Sequence, residues 1–164
     1  MSLPISSLDT EQVYLDTNSI YLLLRAITPE IAELFRDIER EVRHAYTSVL
    51  TFDELAYRLL LALIRDTYGA SPLDRLRRDE NGMIAEFSVS VDTLLERVAA
   101  YRNLTIIPLV PTDIAAMRRN IQQFRILPRD ALHLVAMQKV GCFHLVSQDS
   151  DFDHIPSITR YTFG

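Results

Sequence analysis

The chain is 164 residues long, 48% hydrophobic and 24% charged, with a formal net charge of −5. That length fits one domain, 1–164, and the composition excludes a disordered, collagen-like or disulfide-framework protein. The acidic balance gives no global basic field for nucleic acid, and a single cysteine, Cys142, excludes both an internal disulfide and a Cys-built zinc site.

The N-terminal residues lack a basic segment followed by an apolar run, and no apolar stretch approaches the ~20 residues that span a bilayer. A cytoplasmic protein with no membrane partner is expected. Among the 17 cationic residues all but Lys139 are arginine, whose fork suits carboxylate and phosphate oxygens.

Val13-Tyr14-Leu15, short and apolar, predicts a buried strand ending at Asp16. Asn18 or Ser19 is expected to cap a helix through Ile20, Leu23 and Leu24. Thr28-Pro29-Glu30 starts a second helix, with Ile31, Leu34, Phe35, Ile38 and Val42 at helical spacing. A strand is expected over 45–48. Thr51 and Glu54 have the spacing of a capping box and predict the start of a helix carrying Leu55, Leu59 and Leu63. Gly69, Ser71 and Pro72 break the pattern before the dense charge run Asp74 to Glu80. A long amphipathic helix follows through Phe87, Val91, Leu94 and Val98.

Beyond it, Thr105-Ile106-Ile107 reads as a strand and Pro111-Thr112-Asp113 as a helix start. Pro128-Arg129-Asp130 opens a helix that Gly141 ends. Strands are expected over 143–147 and 160–163. Short apolar strands alternating with helices predict an α/β fold: a three-layer α/β/α domain around a parallel sheet, with a protruding helical insert near 73–100.

In an open parallel sheet, sites form outside the carboxyl ends of the strands. Asp16 and Asp149 follow apparent strand ends, while Glu54 and Asp130 open helices. If these positions converge, four carboxylates share one cleft, an arrangement that like-charge repulsion disfavours without cations. Hard divalent ions with oxygen ligands, Mg²⁺ or Mn²⁺, relieve it and can activate water for attack on a phosphodiester. Each acid also has a plainer role: Asp16 as a strand-ending cap, Glu54 as the partner of Thr51, Asp130 as a dipole partner, and Asp149, Asp151 and Asp153 as turn formers.

Asp149 is expected to reach the crevice, Asp151 to assist it, and Asp153, beyond an anchoring Phe152, to face solvent. Arg129, beside Asp130, is the better-placed phosphate contact; Arg75, Arg77 and Arg78 interleave with acids and read as a solvated face. His133, one turn past Asp130, has ligand-compatible spacing, but its apolar context predicts a packed histidine.

Four segments in order carry a resemblance: Val13-Tyr14-Leu15-Asp16-Thr17-Asn18-Ser19, Thr47-Ser48-Val49-Leu50-Thr51-Phe52-Asp53-Glu54-Leu55, Pro128-Arg129-Asp130-Ala131-Leu132-His133-Leu134 and Leu145-Val146-Ser147-Gln148-Asp149-Ser150-Asp151-Phe152. Together the chain resembles the PIN-domain ribonucleases, particularly the VapC-type toxins of prokaryotic toxin–antitoxin pairs. The resemblance implies a PIN-like sheet of about five strands and metal-dependent cleavage of RNA. It implies that Asp16, Glu54, Asp130 and Asp149 are the catalytic acids and metal ligands, with Asp151 a second candidate for the fourth position. Asn18 matches the polar residue beside the first acid and Ser147 the hydroxyl residue before the last, so both join Arg129 as substrate-binding candidates. It further implies a homodimer and a cognate antitoxin protein. The segment 67–102 is longer than the compact family core. A catalytically silent binding module and a phosphatase of small phosphate esters are the alternative functions.

Overall fold

Val13, Tyr14 and Leu15 are wholly buried because their strand is covered on both faces, which is why it reads as an unbroken apolar run rather than an alternation. The computed structural model describes residues 2–25 and 28–164; residues 1, 26 and 27, part of the expected 1–164 domain, lie outside the described residues. In chain order come β1 (Ser2–Pro4), β2 (Gln12–Leu15), α1 (Thr17–Arg25), α2 (Pro29–Glu39), β3 (His44–Ser48) and α3 (Val49–Tyr68). Then follow α4 (Pro72–Arg78), α5 (Glu80–Ala99), β4 (Leu104–Ile107), α6 (Asp113–Phe124), α7 (Pro128–Val140), β5 (His144–Val146) and β6 (Thr159–Thr162).

The six described strands form one sheet in the order β1-β6-β5-β2-β3-β4, and every pair is parallel. The expected α/β/α architecture is therefore present, with one strand more than the five expected. The additional strand is β1, which pairs with β6 through Ser2↔Arg160 and Pro4↔Thr162. Pro4 lacks an N–H for a ladder, so an edge place suits this strand.

Side chains of β2 alternate between two cores. Val13 and Leu15 pack with Ile20, Phe35, Leu55 and Val98, whereas Tyr14 packs with Leu134, Met137, Leu145 and Phe152. The first core is covered by α1, α2, α3 and α5, the second by α6 and α7. Chain order runs outward from β2 through β3 to β4, then returns to the other side of β2 with β5. The crevice beyond β2 and β5 is thus a topological switch point, the place where such sheets bind ligands.

Several local expectations are corrected. α1 begins at Thr17, and Asp16 rather than Asn18 or Ser19 caps it, accepting from the Ser19 backbone N–H at 3.1 Å. α3 begins two residues before Thr51, so no capping box forms; the Thr51 hydroxyl instead pairs with that of Thr47 at 2.8 Å. Val42 lies past the end of α2 and is 56% exposed. The insert is not simply protruding: Leu76, Met83 and Phe87 make a small core with Ile64 of α3, and Val98 at the far end of α5 is buried in the main core.

Asp153, expected to face solvent, forms a two-pronged ion pair with Arg160 of β6, at 2.9 Å from Nε and 2.7 Å from Nη2. The Arg160 side chain is 6% exposed and also donates to the Ser147 carbonyl at 3.0 Å, tying β6 to the loop that leaves β5. Leaving a buried guanidinium without its carboxylate is costly. Asp153→Asn should therefore lower stability by about 2 kcal/mol, read by calorimetry, a partly exposed pair costing less than a buried one.

Candidate active site

Four elements deliver acids to one cleft of about 590 Å³: Asp16 beyond β2, Glu54 on α3, Asp130 in the first turn of α7, and Asp149 beyond β5. The β2–β5 pairing, Leu15 opposite Val146, brings the two strand-end loops side by side. β3 beside β2 sets the origin of α3, and the connection from α6 sets the start of α7.

Asp16 is held from two sides. Its Oδ1 accepts from the Ser19 N–H and hydroxyl at 3.1 and 3.2 Å, and its Oδ2 accepts from the Ser147 hydroxyl. Desolvation pushes this carboxyl above the ordinary range despite the lowering effect of those donors and of His133. Ser147 is fully buried and also accepts from the Asp149 N–H at 2.9 Å. Its position makes it a support for Asp16 and Asp149 rather than a group presented to a substrate.

Glu54 is the most heavily partnered acid. Its Oε1 accepts from Arg129 Nη1 at 3.2 Å; its Oε2 takes the Thr17 hydroxyl and faces His133 Nε2 at 3.4 Å. Desolvation alone would raise its pKa, but the hydrogen bonds from His133 and Thr17 and the charge of Arg129 outweigh it, holding the carboxyl at about 2. Arg129 bridges to Asp53 as well, at 3.1 Å, and is 60% exposed at the cleft. Asn18 lines the same cleft, its amide oxygen accepting from Arg58 at 3.0 Å.

Asp130 differs from both. Its Oδ2 is buried with no hydrogen-bond partner. Desolvation raises its pKa, and the charges of Asp149, Asp151 and Glu54 raise it further against a lowering by His133. Oxygens of Asp130, Asp149 and Asp151 all lie within 4.8 Å of one another. Asp149 Oδ1 also accepts from the Asp151 N–H at 2.9 Å, which bends the loop so that both carboxylates share one side. Phe152, next in sequence, is 2% exposed and anchors the turn.

An all-carboxylate donor set suits a hard divalent cation, and the orphaned Asp130 oxygen marks where one fits. Among the described residues the close cluster comprises Asp130, Asp149 and Asp151, while Asp16 and Glu54 line the cleft with their oxygens engaged by protein donors. Two residues gain a prominence that the sequence did not give them. His133 is 4% exposed and reaches the cleft, and Asp53 helps Glu54 to hold Arg129. The only sequence signal for His133 was its place one helical turn beyond Asp130.

The PIN-domain family model matches residues 13–158. No curated protein sequence matches the chain closely enough to count as a relative. Among solved structures, the chain is similar to VapBC2 from Rickettsia felis bound to a DNA fragment from its promoter, with a TM-score of 0.60 at 13% identity, covering 92% of this chain and 98% of that one. It is also similar to a toxin–antitoxin complex from Klebsiella pneumoniae, with a TM-score of 0.51 at 15% identity, covering 90% and 95% of the two chains. At these identities the likeness is one of fold.

Proposed function

The chain belongs to the PIN-domain family, and from that premise we propose that its acidic cleft is the centre of a divalent-metal-dependent endoribonuclease. The observation that carries this reading is Asp130, whose Oδ2 is buried and unpartnered and whose carboxylate clusters with those of Asp149 and Asp151 at a topological switch point. Asp130, Asp149 and Asp151 would hold Mg²⁺ or Mn²⁺, with Asp16 and Glu54 completing the acidic set. The bound ion would polarise a phosphoryl oxygen and lower the pKa of a water.

The protein's own residues supply orientation. Arg129 is exposed enough to exchange Asp53 for a phosphate oxygen while keeping Glu54, and a guanidinium can serve both. Asn18, its oxygen taken by Arg58, has its amide nitrogen left as a donor toward the backbone of RNA. Arg75, by contrast, is stacked on Tyr68 at 4.0 Å within the insert. Arg129→Ala should weaken RNA binding roughly tenfold, the worth of one charge-assisted contact, and more than the combined Ala variant of Arg75, Arg77 and Arg78; filter binding at fixed salt reads both.

As a cellular role we propose the toxin of a toxin–antitoxin pair, acting in the cytoplasm as one 1–164 domain that forms a homodimer and is held by a cognate antitoxin. The support is the family and the similarity of fold to two toxin–antitoxin assemblies. No helix among the described residues is long and apolar enough to cross a membrane. Comparing Mn²⁺-dependent turnover of RNA with that of a chromogenic phosphate ester tests the reading. RNA cleaved in preference to the ester supports it; turnover of the ester alone points to a phosphatase, and turnover of neither points to a silent binding module.

A further inference from the structure

One buried chain of groups lies behind the acids. The Tyr14 hydroxyl, on the wholly buried second residue before Asp16, lies 2.9 Å from His133 Nδ1, and the two rings meet edge to face at 5.9 Å. The other ring nitrogen, Nε2, faces Glu54 Oε2 at 3.4 Å. Three elements that carry the site, β2, α7 and α3, are thereby joined by one line of hydrogen bonds from the sheet to the cleft.

From this geometry we infer that Tyr14 and His133 are positioning residues for Glu54, with the phenol fixing the imidazole as the Nε2–H tautomer. The inference rests on the nuclease reading for its kinetic consequences and on the hydrogen-bond chain for its structural ones. An ionised carboxylate only accepts, so the nitrogen facing Glu54 must carry a proton. With Nε2 protonated, Nδ1 keeps its lone pair, and the buried Tyr14 hydroxyl at 2.9 Å is the donor placed to meet it. The opposite tautomer would set a lone pair of Nε2 against the carboxylate. With Thr17 and His133 both on Oε2, Glu54 is fixed with Oε1 toward Arg129. Such fixing matters here because Glu54 and Asp130 feel one another's charge in the cleft. Outer groups of this kind act by orienting a ligand rather than touching substrate.

Two-bond ¹H–¹⁵N spectra of histidine-labelled full-length protein, metal-free and with Mg²⁺, read the tautomer directly. Expected is His133 protonated on Nε2 and unprotonated on Nδ1, shifting toward a tautomer mixture in Tyr14→Phe. In single-turnover RNA cleavage, His133→Leu should lose about tenfold or more in rate with substrate affinity unchanged. His133→Gln, whose amide can donate to Glu54 and accept from Tyr14, should recover most of that loss, and Tyr14→Phe should fall between. A wild-type ring protonated on Nδ1, alone or together with Nε2, overturns the inference, as do equal losses in the Leu and Gln variants at equal melting temperature. Should the wild type cleave no RNA with any divalent ion, the nuclease reading fails, while the tautomer spectra still decide the hydrogen-bond chain.

Discussion

Replacing Asp130 with Asn is expected to reduce RNA cleavage about 1,000-fold, equivalent to roughly 4 kcal/mol of transition-state stabilisation, while making the metal-free protein more stable. The two effects have one origin. Asp130 offers a buried oxygen that no protein donor satisfies, and it sits among Asp149, Asp151 and Glu54, whose charges disfavour its ionised form. An amide removes that repulsion and, with it, an anionic ligand. A purely structural carboxylate would behave differently, because its loss would lower stability. Single-turnover rates and a melting curve of the variant without metal read the two effects separately.

Divalent ions should produce the second large effect. An ion bound only by the native state stabilises it by about 2.7 kcal/mol at a hundredfold excess over its Kd. For a chain of this size that is a rise of roughly 5–10 °C in Tm. Asp130 and Asp16 have folded pKa values raised above their unfolded ones, so the native state holds their protons more tightly. Their contribution to metal-free stability is thus fullest below the ordinary carboxylate pKa and is lost as pH rises toward the raised folded values. Glu54 works in the opposite sense: lowered to about 2 from 4.5, it stabilises above 4.5 and loses that contribution as pH falls toward 2. A cation relieves the repulsion that deprotonated Asp130 creates, so the Mn²⁺-induced rise should be larger at pH 7.5 than at pH 5 and should shrink in Asp130→Asn. Scanning calorimetry with Mn²⁺ against EDTA at both pH values checks this; an indifferent Tm would speak for acids that hold no ion.

Much of the fold is legible in the sequence because its signals are local. The strand β2 is a short apolar run stopped by Asp16, and α7 is bounded by Pro128 and by Gly141, whose φ of 65° suits a residue without a Cβ. The order of strands and helices then predicts a parallel sheet with its crevice beyond the strand ends. What escapes such reading is settled by partners distant in sequence. β1 has no apolar pattern and exists through β6, more than 150 residues away. Thr51 and Glu54 have the spacing of a capping box, yet Glu54 is taken by the distant Thr17, Arg129 and His133, which leaves Thr51 to its near neighbour Thr47.

The acidic site follows the same division. Asp16, Glu54, Asp130 and Asp149 can be singled out by their places after strands and at helix starts. Their unequal roles cannot, because they depend on which oxygens the protein already satisfies. Asp16 and Glu54 are held by hydroxyls, a backbone N–H, Arg129 and His133, whereas Asp130 has an oxygen left over. Asp151 joins the cluster because the Asp149 side chain turns the loop, and Asp153 leaves it because Arg160 captures it. Neither outcome is encoded in the spacing of three aspartates.

The most direct test is to incubate purified wild-type protein and Asp130→Asn, side by side, with total RNA in Mn²⁺ or in EDTA, and to map the new RNA ends. Internal cuts are expected only with wild-type protein and only with Mn²⁺. Equal cutting by the two proteins, or cutting that persists in EDTA, would contradict a metal-dependent nuclease built on this carboxylate cluster.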